Sequence, residues 1–96
     1  MIVSTTQINV APENRRELFQ TILPLLEPIR HKEGCVACRC YVELTDENAA
    51  MLISEWEAEA DWENYLDSSD CAVLQGALNA LANPGNIDFK LLGKIG

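Results

Sequence analysis

Basic side chains are scarce in this chain: seven lysines and arginines stand against fifteen aspartates and glutamates, for a net charge of -8. That balance offers no electrostatic footprint for a phosphate backbone or an anionic bilayer surface, so nucleic acid and membranes are poor partners. Long apolar runs are missing too, none approaching the ~18 residues that cross a bilayer. The first residues alternate and then turn polar, without the charged-then-apolar pattern of a signal segment, so the chain reads as cytoplasmic. Histidine occurs once, at His31, and no second Cys-x-x-Cys pair accompanies Cys35 and Cys38. Neither repeat nor linker interrupts the sequence, which is expected to form one domain over residues 1–96.

Apolar side chains, in contrast, make up 48 % of the 96 residues, too many for a disordered acidic chain. A monomer of this length buries only ~60–65 % of the surface its unfolded chain exposes. The surplus needs somewhere to go. The acidic excess is uneven: residues 1–48 carry a net charge of -2 and residues 49–96 a net charge of -6, with seven acids and no base from Glu55 to Asp70. That stretch fits a solvated helix face; a cation site is the sharper alternative.

Alternation predicts a strand over residues 2–10, with Ile2, Ser4, Thr6, Ile8 and Val10 on one side. A helix follows from Glu13, its apolar stripe formed by Leu18, Phe19, Ile22, Leu23, Leu26 and Ile29. Pro24 and Pro28 each remove a backbone donor, so a kink or break is expected at Pro24. The helix should end by Lys32, with Gly34 supplying a left-handed backbone. A second strand over residues 36–44 places Val36, Cys38, Cys40, Val42 and Leu44 against the helix and Ala37, Arg39, Tyr41 and Glu43 opposite. The polar residues 45–48 read as a hairpin loop and 50–56 as the third strand. A short helix over 59–67 comes next. Ser68, Ser69 and Asp70 then offer N-cap chemistry to a helix with Leu74, Leu78 and Leu81 as its seam. Residues 83–86 stop it, and a last strand occupies 87–92.

The order β-α-β-β-α-β predicts an α+β, ferredoxin-like antiparallel sheet with both helices on one face. Its other face is not simply polar, since Val3, Ala37, Tyr41 and half of Met51, Leu52, Ile53 and Trp56 lie there. Such a patch is too large for a monomer, and a homodimer closing face on face would cover it.

The cysteines invite a metal or redox reading, because Cys35, Cys38 and Cys40 fall within six residues. A zinc tetrahedron would need Cys71 or His31 as its fourth ligand. Cys38 and Cys40 point the same way along a strand with Cα atoms ~7 Å apart, which disfavours a disulfide between them, and small core residues is the simpler reading. His31, between Arg30 and Lys32 at a helix end, reads as a surface residue compensating the helix dipole.

Glu33-Gly34-Cys35, Tyr41 six residues on, Ser54-Glu55-Trp56-Glu57, and the run Ala60-Asp61-Trp62-Glu63-Asn64-Tyr65-Leu66-Asp67-Ser68 together resemble the antibiotic biosynthesis monooxygenase (ABM) domain family over nearly the whole chain. The resemblance implies a dimeric α+β barrel, with a pocket between sheet and helices in each protomer. Among such proteins are cofactor-independent monooxygenases of quinols and aromatic polyketides and haem-degrading enzymes. The haem-degrading pattern of asparagine, tryptophan and histidine meets Thr6, Tyr65 and Gln75 here, leaving no axial imidazole. Quinol-oxidising relatives show histidines where this chain has Tyr65 and Asp70. Polyketide-oxidising relatives share Trp56, but have an asparagine in place of Leu52 and a tyrosine in place of Trp62.

Cofactor-free oxygenation needs an electron-rich substrate whose anion reduces dioxygen, so the protein must deprotonate it, hold it and exclude water. The expected catalytic residues are Arg39, stabilising an enolate or phenolate, and Tyr41 and Trp56, one or the other stacked on the ring. Gln7 and Asn9 share the face with Arg39 and Tyr41, and Leu52, Trp62 and Tyr65 join the lining through the resemblance. No cofactor is expected. The structural alternative is that Tyr41 and Trp56 seal the dimer while Arg39 pairs with Glu55 or Glu43. The expected function is oxidation of a small phenolic, quinol-like or polyketide-like aromatic molecule; a non-catalytic binding module of the same fold is the alternative.

Overall fold

The computed structural model describes residues 1–83 and the course of the strand Asp88–Lys94. Its elements are β1 (Ile2–Asn9), a 3₁₀ turn (Pro12–Asn14), α1 (Arg15–Arg30), β2 (Cys35–Glu43), β3 (Asp46–Trp56), α2 (Glu59–Leu66), α3 (Ser69–Leu81) and β4 (Asp88–Lys94). The four strands form one antiparallel sheet in the order β2-β3-β1-β4, which is the ferredoxin-like arrangement expected from the element order. Among the described residues, no helix is long and apolar enough to cross a membrane. The residues 84–87 between α3 and β4, on which part of the expected stop signal and the start of the last strand fall, lie outside the described residues.

The helices pack on one face. Leu18, Ile22, Leu26 and Ile29 from α1 and Cys71, Leu74 and Leu78 from α3 meet Ile2, Ile8, Cys38, Ala50, Leu52 and Trp56 from the sheet. These positions fall at helical spacing in the helices and on one side of the pleat in the strands, so one apolar stripe meets one apolar face.

Of the kink or break expected at Pro24, the break does not occur: α1 runs without interruption through both Pro24 and Pro28. The two prolines are four residues apart and solvent-exposed, as are Gln20 and Thr21 one turn earlier. The carbonyls that lose their helical donors, those of Gln20 and Pro24, therefore lie on the watery side, while the buried stripe keeps its own ladder. Arg15 fastens the start of the helix by donating from Nε to the Glu47 carbonyl at 2.7 Å. The helix ends at Arg30, and Gly34 takes its positive φ of 78° in the turn that follows.

The hairpin also differs from expectation. Its loop is only Leu44 and Thr45, and Asp46, Glu47 and Asn48 belong to β3. A register shift between Cys35 and Ala37 turns Val36 out of the expected stripe. Only Cys38 and Cys40 of that stripe pack toward the core, while Val36, Val42 and Leu44 are exposed. Strand β2 is a sheet edge, and Arg30 blunts it by donating from Nε to the Cys38 carbonyl at 2.8 Å.

Ser68 caps α3 as its sequence suggested. Its Oγ accepts from Cys71 N at 3.3 Å and donates to the Tyr65 carbonyl at 2.6 Å, joining the end of α2 to the start of α3. Ser68→Ala should cost about 1 kcal/mol. An unchanged urea midpoint in that variant would show that the cap contributes nothing.

Candidate active site

Strand register sorts the expected site residues onto two faces. On the open face, successive rows across β2, β3 and β1 are Ala37–Glu55–Val3, Arg39–Ile53–Thr5 and Tyr41–Met51–Gln7. On the helix face the rows are Cys35–Trp56–Ile2, Cys38–Ser54–Ser4 and Cys40–Leu52–Thr6. Arg39, Tyr41 and Gln7 are thus brought onto one surface, and Asn9 follows by alternation at its end, where its carbonyl accepts from Asn83 N at 2.9 Å.

Trp56 is not part of that surface. It has the same parity as Leu52 and Ser54, is 0 % exposed, and lies under α2 with its ring stacked on Tyr65, centroids 5.0 Å apart at 23°. Its Nε1 donates to Ser54 Oγ at 3.0 Å. The expectation that Trp56 shares a pocket with Arg39 and Tyr41, or seals a dimer with Tyr41, is corrected by this geometry: side chains two apart on a strand share a face, and Trp56 belongs with the even-numbered positions of β3. Leu52 is buried beside it in the core, and Trp62 packs against the same core from α2.

Two hollows meet at Tyr41 on the open face. The larger, about 170 Å³, lies toward the hairpin end of the sheet and is lined by Gln7, Tyr41, Glu43, Ala49 and Met51, with Val42 and Ala50 of the opposite parity completing it. The smaller, about 100 Å³, is lined by Ala37, Arg39, Tyr41, Ile53 and Glu55. An apolar cavity of ~150 Å³ is enough to take up benzene, so the larger hollow is on the scale of one aromatic ring. It combines an apolar floor with an amide, a phenol and a carboxylate, and a guanidinium lines the adjoining hollow. These are the kinds of group that small-molecule sites use, in a hollow smaller than most such pockets. Glu43 and Met51 did not emerge as site residues from sequence, although Glu43 shares the alternation of Arg39 and Tyr41 and so carried the signal.

Tyr65 contributes elsewhere. Its ring is buried, and its edge borders a polar hollow of about 160 Å³ with Lys32, Glu33, Asp61 and Asn64. Burial pushes the Tyr65 phenol far above its ordinary range, and its contacts with Cys71, including a hydrogen bond, push in the same direction. It stays protonated. The Cys38 thiol is likewise pushed up to about 11 by burial, with Cys35 adding to the shift, so Cys38 is a protonated core side chain at neutral pH. His31 stands at the surface, its Nε2 3.1 Å from Glu27 Oε1, far from the role of a buried base. The exposed Glu27 carboxyl is held below its usual value by hydrogen bonds from His31 and then Arg30. Most of the acidic stretch, including Glu57, Glu59, Glu63 and Asp67, is exposed; Asp70 pairs with Lys32 at 2.9 Å.

A four-stranded ferredoxin-like sheet, with helices on one face and a hollowed, partly apolar surface on the other, defines a small α+β protein of the ferredoxin-like class. The family model for antibiotic biosynthesis monooxygenase (ABM) matches residues 1–77, and the chain belongs to that family. Its fold is similar to the crystal structure of an antibiotic biosynthesis monooxygenase, with 20 % identity, all of both chains covered and a TM-score of 0.86. It is also similar to a conserved protein of Methanosarcina mazei, with 20 % identity, 98 % of this chain and 92 % of that one covered, and a TM-score of 0.88. A Mycobacterium tuberculosis protein gives 13 % identity, coverage of 99 % and 95 %, and a TM-score of 0.87. No protein of curated function matches the chain.

Proposed function

We propose that the protein is a monooxygenase that works without metal or flavin on a small phenolic, quinol-like or polyketide-like aromatic molecule, as a homodimer joined through the open sheet faces. The observation that carries this reading is the ring-sized hollow at the Tyr41–Met51–Gln7 row, with Arg39 in the adjoining hollow. Family membership supports the oxygenase class.

Tyr41 stacks on the substrate ring, and Gln7 hydrogen-bonds a ring substituent. Glu43, at the rim, accepts the proton that ionises the substrate, and the Arg39 guanidinium stabilises the resulting phenolate or enolate. The anion reduces dioxygen. In the oxidation of an anthrone methylene, both C–H bonds break, one oxygen atom becomes the new carbonyl, and the other leaves as water with the two hydrogens. A second sheet laid over the hollow would exclude bulk water from the reactive anion. It would also cover Ala37, Tyr41, Met51 and Ile53, of which Tyr41 is 50 % exposed in the single chain; Val3 on the same face is already buried.

Oxygen uptake with a panel of hydroquinones and anthrones tests the reading. Arg39→Ala and Tyr41→Ala should each lower kcat/KM at least tenfold, while the folded state, read by circular dichroism, is unchanged. Uptake at wild-type rates in both variants would remove these residues from the site. The surface position of His31, the chain's only histidine, favours a second reading in which the hollow binds aromatics without turning them over. Saturable binding of a hydroquinone with no oxygen uptake would select that reading.

A further inference from the structure

Arg39 and Glu55 are the two charged side chains that line the smaller open-face hollow. They sit on adjacent strands one ladder step apart, since Arg39 pairs in register with Ile53 and Ala37 with Glu55. Among the described residues neither belongs to an ion pair. Around them the face is mixed: Ala37, Tyr41, Ile53, Met51 and Val3 stand beside Thr5 and Gln7, and the ladder sets Lys90 opposite Thr5 and Asp88 opposite Gln7. Covering this face with an uncharged partner would take a guanidinium and a carboxylate out of water with at most each other as partners, and that desolvation offsets the gain from the apolar contacts.

A second copy resolves this. In a two-fold interface the same patch serves on both sides, so one protomer presents to the other both a cation and an anion from the same small area. We infer that Arg39 of each protomer pairs across the interface with the partner's Glu55, in two symmetric bridges that hold the sheets together and wall the hollow beside Tyr41. The inference rests on the dimer proposed above and adds its register. It also makes the site composite, because the side chain that fixes the Arg39 guanidinium beside the substrate comes from the other chain. Arg39, with five donors, can hold the partner's carboxylate and still direct an N–H toward a substrate oxygen.

Charge reversal gives a test that an ion pair within one chain cannot imitate. Arg39→Glu leaves two carboxylates in each hollow, and Glu55→Arg leaves two guanidiniums, so each variant alone should dimerise at least tenfold more weakly than wild type. An equimolar mixture of the two should form a heterodimer near wild-type affinity, because both cross-interface pairs are then of opposite charge while both intrachain arrangements remain repulsive. The readout is sedimentation velocity or light scattering at micromolar concentration, with circular dichroism confirming that each variant is folded. Single variants that dimerise like wild type, a mixture that stays monomeric, or rescue of Arg39→Glu by Glu43→Arg in place of Glu55→Arg would each overturn the pairing. A wild-type chain that is monomeric in the same experiment would instead overturn the dimer on which it rests, and oxygen uptake is scored separately from both.

Discussion

Trp56→Ala is expected to remove about 3–5 kcal/mol of stability, the range for deleting a large buried aromatic side chain. A domain of this size holds only about 5–15 kcal/mol in total, so the variant should sit at the edge of folding. Three losses combine. The indole is 0 % exposed between β3 and α2, its removal leaves Tyr65 without its stacking partner at 5.0 Å, and Ser54 loses the donor that now reaches its hydroxyl at 3.0 Å. Ser54 is itself buried, so the orphaned hydroxyl adds to the cavity cost. Trp56→Phe keeps an aromatic ring on Tyr65 and loses the Nε1 donor with part of the volume, and should cost about 1–2 kcal/mol. Urea denaturation followed by circular dichroism measures both. The phenylalanine variant should also retain oxygen uptake, because Trp56 faces away from the hollow at Tyr41. An alanine variant with a wild-type midpoint would show that the core does not close on this indole.

Trp56 also marks where the sequence stops being legible. Alternation in β2 correctly separates Arg39 and Tyr41 from Cys38 and Cys40, and alternation in β1 separates Gln7 from Ile8. What alternation within a strand cannot supply is the register between strands. Whether Trp56 belongs with Arg39 or with Cys38 depends on β3 being antiparallel to β2 with Arg39 opposite Ile53, and a one-residue slip would exchange every side chain between faces. The β2–β3 connection set that register. Read as a four-residue loop over 45–48 it leaves the pairing open; with a two-residue loop at Leu44 and Thr45 and irregular pairing near Val42 and Glu43, it places Trp56 on the helix side.

The other departures have the same origin in neighbours rather than in local preference. Pro24 and Pro28 break an isolated helix because each costs a hydrogen bond. In α1 those bonds lie on the solvent side, and the buried Leu18, Ile22, Leu26 and Ile29 hold the helix in place across them. Val36 alternates like a core residue, but the register shift beside it rotates the side chain outward. The element order, the helix stripes except for Leu23, which the structure leaves 58 % exposed on the outer side of α1, the Ser68 cap and the open-face set of Gln7, Arg39 and Tyr41 were readable from signals within one segment. The sharing of a hollow by Glu43 and Gln7, from strands that do not pair with each other, needed the sheet order as well.

Gly34→Ala is expected to cost about 2–5 kcal/mol, the sum of two separable effects. The first is backbone strain. Gly34 holds φ at 78°, where a residue with a Cβ crowds its own carbonyl, at about 1–2 kcal/mol. The second is steric: an added Cβ would fall on the Asp61 side chain, which α2 packs against the turn, and relieving such a clash costs about 1–3 kcal/mol. The turn cannot easily move aside. The Gly34 carbonyl accepts from Glu57 N at 2.8 Å, Cys35 N donates to the Lys32 carbonyl at 3.1 Å, and Lys32 Nζ is bridged to Asp70 at 2.9 Å, so α1, β2, β3 and α3 all converge on these few residues. A double-mutant cycle separates the two effects. Asp61→Gly removes the side chain that obstructs the Cβ, at up to about 1 kcal/mol for glycine in a helix, and in its background Gly34→Ala should cost only the backbone part. The coupling is then about 1–3 kcal/mol. Additive losses in the cycle would show that Asp61 yields freely and that the glycine is required for its φ alone; equal midpoints for Gly34→Ala and wild type would remove both requirements.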